Sequence, residues 1–394
     1  MGLWTRSVAG LEGTGGGAVP PRGVVSLSAV RRGRSLVLLA AVAALLVGAT
    51  PASANPGVTV VASGLDNPRG LGFAPNGALF VAEAGKGGAG PCNDGPEGRV
   101  CFGASGAVTA VLHGRQSRVL SGLPSLADPD GSSAIGPSDV SFNGLGGMYV
   151  TVGLGANPAL RQQFPALAGM ARLLRASPAR GTTRVAADIG DFEATVNPDG
   201  GEPDTNPNSV LAGPGVQVVA DAGGNSLLRV SASGRTSVLA VFPDRLVDAP
   251  PFLGLPPGTQ IPMQAVPTSV VRGPDGAYYV GQLTGFPFPV GAARVYRVVP
   301  GHAPQVVADG FTNVIDLAFG RDGRLYVLEI AHNSLLSGDL TGALIRVGRD
   351  GSHRTVLSDG LVAPSGLAIR GDAAYVSNCG VCAGNGTVLR VPLH

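Results

Sequence analysis

Short aliphatic runs recur along this chain, and each is followed one turn later by a second, more apolar run. The first kind opens with Pro or its substitute, then a polar residue, a small residue and an aliphatic: NPRGLGF from 67, GPSDVSF from 136, NPNSVLA from 206, VPTSVVR from 266, NVIDLAF from 313 and APSGLAI from 363. The second kind reads ALFVAEAG, GMYVTVGLG, VQVVADAGG, AYYVGQLTG, RLYVLEIAH and AAYVSNCG. Alternating third runs follow, such as NSLLRVSA, ARVYRVVPG and GTVLRVPL, and five units add a fourth, such as SRVLSGL, TSVLAVF and RTVLSDGL. Alternation of period two, bounded by Gly, Pro, Asn and Asp, predicts β-strands. The joins APNG, RGPDG, GRDG and GDA carry the chemistry of tight two-residue hairpins. ALRQQFPALAGM, 159–170, admits a short helix inside the second unit.

The sixth unit ends after three strands, and VTVVASGL, 58–65, is a fourth strand with no unit of its own. A ring of four-stranded sheets closes by lending an outer strand from one terminus to the last sheet, which leaves no open edge. The fold class expected is therefore all-β: a six-bladed β-propeller whose last blade is closed by the N-terminal strand, at roughly 56 residues per blade. A solenoid would need capping repeats at both ends, and here the termini complement each other instead. The ring occupies residues 55–394 as one domain.

Upstream, RRGRSLVLLAAVAALLVGATPASA has a basic n-region, an apolar run and a small-residue end at Ala52-Ser53-Ala54. Residues 1–54 are read as a signal peptide with an extended N-terminal region, cleaved after Ala54. The apolar run falls short of the roughly 20 residues a spanning helix needs, so no membrane span is expected after cleavage. A secreted or cell-envelope location follows, and an exported chain favours disulfides among its four cysteines. Three connectivities are possible. Pairing Cys92 with Cys101 and Cys379 with Cys382 needs the least chain closure; a redox or zinc role for CGVC lacks the further ligands it would require. With 14% charged residues and a net charge of +2, no face is built for nucleic acid, and a monomer is expected.

In such a ring, the loops entering first strands and leaving second strands share one face. Aligned second strands put Glu83, Val152, Asp221, Gln282, Glu329 and Asn378 at the exits, and Asn67, Arg69, Asp139, Asn206, Asn208, Thr268, Asp316 and Ser365 at the entries. Two readings of these oxygens stand open. In one, Glu83, Asp221, Glu329 and Asn378 converge on Ca²⁺ or another divalent cation, which takes six to eight oxygens, while Asn67, Arg69, Asp139, Asn208, Asp316 and His332 hold a ligand. In the other, the same side chains cap strand ends and bond backbone groups around a polar pore. His332, three residues beyond Glu329, is placed to form an acid/base unit with it. No catalytic residue is assigned, and no nucleophile elbow, HExxH, Walker loop or dinucleotide fingerprint occurs. NPDGGEPDTNPN, 197–208, is dense in turn formers with acid and amide oxygens, without the regular spacing of an EF-hand.

GLDNPRGLGF with LFVAEAG, FEATVNPDGG with DTNPNSV, VADAGGNSLLRV, VPTSVVRGPDGAYYVGQLTGFPFPVG and IDLAFGRDGRLYVLEI resemble the ScyD/ScyE family of exported, NHL-like six-bladed propellers over residues 57–394. The resemblance implies fold and export, and brings no established reaction. The expectation is an exported propeller binding an unknown protein partner or small-molecule ligand at its channel face. The alternative is a divalent-metal-dependent hydrolase or lyase of the lactonase or streptogramin-lyase kind.

Overall fold

The computed structural model describes residues 57–95 and 98–393, and within them the six repeats are six β-sheets arranged as propeller blades. The expected signal peptide, residues 1–54, lies outside the described residues. In blade 1 the inner strands are Pro68–Phe73 and Leu79–Glu83, and in blade 5 they are Val314–Phe319 and Leu325–Glu329, as the repeat predicts. The closing strand Thr59–Leu65 pairs antiparallel with Gly386–Pro392, in register Thr59 to Arg390 and Ser63 to Thr387. The ring closure expected from the orphan strand is thus formed, with Ala62 and Leu65 buried against Leu71, Leu79, Val81 and Val388.

Each blade has apolar side chains on both faces, so the core is divided among the seams between blades. Val210, Val219 and Leu228 fill the seam of blades 2 and 3 with Leu173 and Ile189. Val295, Phe311, Leu317 and Val327 fill that of blades 4 and 5. Burying such side chains contributes about 1.5–3 kcal/mol each, which makes the seams the main source of cohesion.

Several elements differ from the sequence expectation. The join RGPDG closes as a longer loop, with Gly273 N–H donating to Ala277 O and Gly276 held at φ +81. Residues 159–170 break into an α-turn, Leu160–Gln163, and a 3₁₀ turn, Pro165–Gly169. The break falls at Phe164, which is extended because the proline after it disfavours the helical region. Three further elements carry no repeat signature. They are the strand Cys92–Gly95, the hairpin Arg245–Asp248 with Gln260–Met263, and the helix Ile189–Val196, whose N-cap Asp188 accepts the Asp191 N–H. Both within-loop disulfides, Cys92–Cys101 and Cys379–Cys382, are present.

Candidate functional site

Strand direction puts the insertions on one face of the ring. The links from second to third strands and from fourth strands to the next blade all emerge there, beside the axial channel. That face carries the disulfide hairpin of blade 1, the helix Ile189–Val196, the hairpin 245–263 and the loop GFPFPVG.

At the second-strand exits, four polar side chains repeat one job. Glu83 accepts the Asp66 N–H at 2.8 Å, Asp221 the Asn206 N–H at 2.6 Å, Glu329 the Thr312 N–H at 2.7 Å and Asn378 the Val362 N–H at 2.8 Å. Each oxygen therefore ties the loop entering its own blade to the strand leaving it, the capping role left open by the sequence. Glu83 is fully engaged: Thr109 Oγ1 donates to it at 2.5 Å, and Arg118 binds it through Nε at 3.1 Å and Nη2 at 2.6 Å. The same Nη2 reaches Asp66 at 2.8 Å. Asp221 also takes the Thr205 hydroxyl at 2.7 Å. Held this way, Glu83, Asp221, Glu329 and Asn378 do not fit a shared cation. Among the described residues, no three His, Cys, Asp or Glu side chains are gathered at metal-binding spacing.

The entries to the first strands form an inner circle. A bulge recurs there, between Pro68 and Leu71, Pro137 and Asp139, Pro207 and Ser209, Pro267 and Ser269, and Val314 and Asp316. Bulges re-aim side chains, and these sew each blade to the next. Ser138 Oγ donates to Pro207 O at 2.7 Å, Asn208 Nδ2 to Thr268 O at 2.6 Å, Thr268 Oγ1 to Val314 O at 2.8 Å and Ser365 Oγ to Pro68 O at 2.5 Å. One residue on, Asp139 accepts the Val210 N–H at 2.9 Å and Asp316 the Leu367 N–H at 2.6 Å. Gly70 completes the circle where no side chain fits: a Cβ there would lie 2.2 Å from Asp139 Oδ1.

Asp139 and Asp316 stand on blades 2 and 5, which face each other across a six-membered ring. Each keeps partial exposure at the inner circle. Burial pushes Asp139 up to about 7 against its three hydrogen bonds, and raises Asp316 well above the usual carboxylate range with the Asp139 charge adding to it. Burial likewise pulls Arg69 down to about 10, and its Nη2 donates to Ala134 O at 2.6 Å. Asn67, with φ +50, donates to Gly85 O at 2.7 Å and Gly131 O at 2.9 Å, so it knots three loops together.

The structure brings together one expected pair. His332 Nδ1 is hydrogen-bonded to Glu329 Oε2, with the carboxyl buried and the imidazole about half exposed. Burial raises the Glu329 carboxyl, and the bond to His332 works against that rise.

Two features had weaker sequence signals. The hairpin 245–263 leaves Leu246, Phe252, Leu253 and Leu255 exposed on the loop-bearing face, with Phe252 at 64%. Its Phe252 ring meets Phe286 of GFPFPVG edge-on at 6.2 Å. Glu193, on the helix between blades 2 and 3, is 1% exposed and has no ion-pair partner among the described residues. The dense run of acids around it in the sequence was the available sign.

No family model matches the chain, and no curated protein matches it in sequence. Solved propellers follow its course. Virginiamycin B lyase from Staphylococcus aureus is 11% identical, with a TM-score of 0.48 over 86% of this chain and 99% of that one. A calcium-binding protein, regucalcin, from Agrobacterium tumefaciens is 14% identical, with a TM-score of 0.47 over 85% of this chain and 96% of that one. A gluconolactonase from Xanthomonas campestris is 10% identical, with a TM-score of 0.48 over 86% of this chain and 89% of that one. At such identities the likeness concerns the fold, and the activities in those names stay with those proteins.

Proposed function

We propose that this chain is an exported propeller that binds a partner or small ligand through its loop-bearing channel face, in keeping with its resemblance to the ScyD/ScyE family. The carrying observation is the hairpin 245–263, on which Leu246, Phe252, Leu253 and Leu255 are all exposed and Phe252 packs edge-on against Phe286 of the neighbouring loop. Several large apolar side chains left exposed on one insertion favour a contact site. Export is supported by the two disulfides. No helix among the described residues is long and apolar enough to cross a membrane.

A photo-reactive side chain placed at Phe252, in cells that make the protein, tests this reading. Its control is the same group at Leu145, which is 83% exposed in the blade 2 turn on the opposite face. A discrete adduct at 252 and none at 145 is expected; equal labelling at both, or none at either, would overturn the reading.

A second reading, hydrolysis or lyase chemistry, is favoured by one observation. The buried Glu329 carboxyl with its exposed His332 can hold and pass a proton at the mouth. Glu83, Asp221 and Asn378 would have to leave their present hydrogen bonds before a metal joined that pair.

A further inference from the structure

The strand exit of blade 4 departs from that of its neighbours. Where blades 1, 3 and 5 end their second strands in an acid, blade 4 ends Tyr278–Gln282 in a neutral amide. Gln282 is 1% exposed, and its Oε1 lies 3.5 Å from both the Tyr296 hydroxyl and Arg245 Nη2. In blade 1 the matching frame is complete: Glu83 takes the Thr109 hydroxyl at 2.5 Å and Arg118 Nη2 at 2.6 Å. Thr109 stands opposite Val81 and Tyr296 opposite Val280, each two residues before the exit residue, so the positions correspond. Arg245 thus occupies the place of Arg118 with no carboxylate to receive it.

A second guanidinium deepens the imbalance. The pairing of Gly281 with Val295 puts Gln282 and Arg294 at the next step of their two strands. Alternation puts Arg294 on the face of Ala293–Val298 that carries Tyr296. Burial pulls the Arg245 guanidinium below its ordinary value, and the nearby Arg294 charge pulls it further. Arg245 is held by one backbone oxygen, Ala292 O at 2.5 Å, and Arg294 has no hydrogen bond or ion pair among the described residues. Both side chains keep partial exposure. Arg245 Nε and Gln282 Nε2 are shut in without partners, whereas Arg245 Nη1 and the Arg294 guanidinium are neither bonded nor shut in. Donors are therefore available as the chain lies. Like charges this close repel, and one oxyanion shared between them reverses the sign of the interaction.

We propose that Arg245 and Arg294 form a carboxylate-binding site where blade 3 passes to blade 4, and that its ligand is a small organic carboxylate with an apolar body. A carboxylate is what blade 1 sets against the same frame, and guanidinium forks match its two oxygens. The apolar body follows from the surroundings. Arg245 begins the hairpin 245–263 and is tied through Ala292 to the end of the GFPFPVG loop, and these two segments carry the Phe252 and Phe286 pair. The inference names the ligand class for the channel-face reading above and rests on it.

The test titrates the full chain by calorimetry with 3-phenylpropionate, its neutral amide 3-phenylpropionamide, and inorganic phosphate. Saturable binding of the acid is expected, with the amide and phosphate each weaker by about tenfold or more, the factor a charge-assisted hydrogen bond carries. Arg294→Gln should weaken the acid by a similar factor. It should melt no lower than the parent, because it removes one of two like charges; a lower melting temperature with unchanged affinity would mark a purely structural arginine and overturn the site. So would no heat from the acid, or an amide or phosphate that binds as tightly. An adduct at Phe252 alongside such a result leaves the contact face standing without its carboxylate site. Acid binding lost in Arg294→Gln, with no adduct at Phe252, upholds the site and removes the contact reading instead.

Discussion

Arg118→Ala is the most informative perturbation of the ring closure. The guanidinium is 43% exposed and serves two carboxylates that are almost wholly buried, Glu83 at 0% and Asp66 at 7%. Asp66 directly follows the closing strand, so one cation joins blade 6's outer strand to blade 1. Opposite charges about 4 Å apart attract by about 4 kcal/mol at an effective dielectric constant of 20. Solvent at the exposed guanidinium reduces that figure. Removing the cation leaves two buried anions facing each other, a situation that costs about 3–5 kcal/mol when wholly interior. A loss of about 2–4 kcal/mol is therefore expected. At about 2.1 cal/mol/K per residue, a domain of this size unfolds with an entropy of roughly 0.7 kcal/mol/K, so the melting temperature should fall by about 3–6 °C. The assay is thermal melting at a fixed scan rate, completed as a double-mutant cycle with Glu83→Gln. The double variant should recover part of the loss. A fall below about 1 °C in Arg118→Ala, or a double variant whose losses simply add, would refute the argument.

Two further predictions concern titration and chemistry. Asp139 titrates near 7 in the fold against 3.8 when exposed, so between those values the native state holds more protons than the unfolded chain and stability falls as pH rises through 7. The shift sets a ceiling of about 4 kcal/mol, lowered by solvent at the partly exposed carboxyl; Asp139→Asn should flatten the decline of the urea midpoint between about pH 4 and 7, and parallel curves would refute the assignment. For the second functional reading, a panel of lactones and esters assayed with His332→Ala should show turnover reduced by about 10²-fold or more. Turnover unchanged in that variant, or absent from the parent, removes the pair from any such chemistry.

The repeat strings carried the architecture because alternation and turn residues are local. NPRGLGF and LFVAEAG became Pro68–Phe73 and Leu79–Glu83 within a residue or two, and VTVVASGL closed the ring as read. The helix Ile189–Val196 and the hairpin 245–263 lie outside the repeat, so nothing periodic announced them. The residues aligned at strand exits and entries do fall at strand ends, yet their partners were not legible. Whether Glu83 faces a cation or the Asp66 amide depends on strand twist and on Arg118, 35 residues away in sequence. For Asp139, the bulge after Pro137 turns the carboxylate toward blade 3, and a single sequence does not reveal such a register shift.

The pairing of Thr59–Leu65 with Gly386–Pro392 sets the order of events during synthesis. Among the described strands, the first made is the last to find its neighbour, because the other blade strands lie between it and its partner in sequence. Contacts so distant in sequence form slowly, and until then blade 6's future edge and the closing strand are both open to other chains. The strand suits that wait. Of its seven residues only Ala62 and Leu65 are buried, and Val60 is its one large exposed apolar side chain. A segment that stays unpaired for so long is thereby a poor nucleus for aggregation, and the ring locks only when blade 6 has formed.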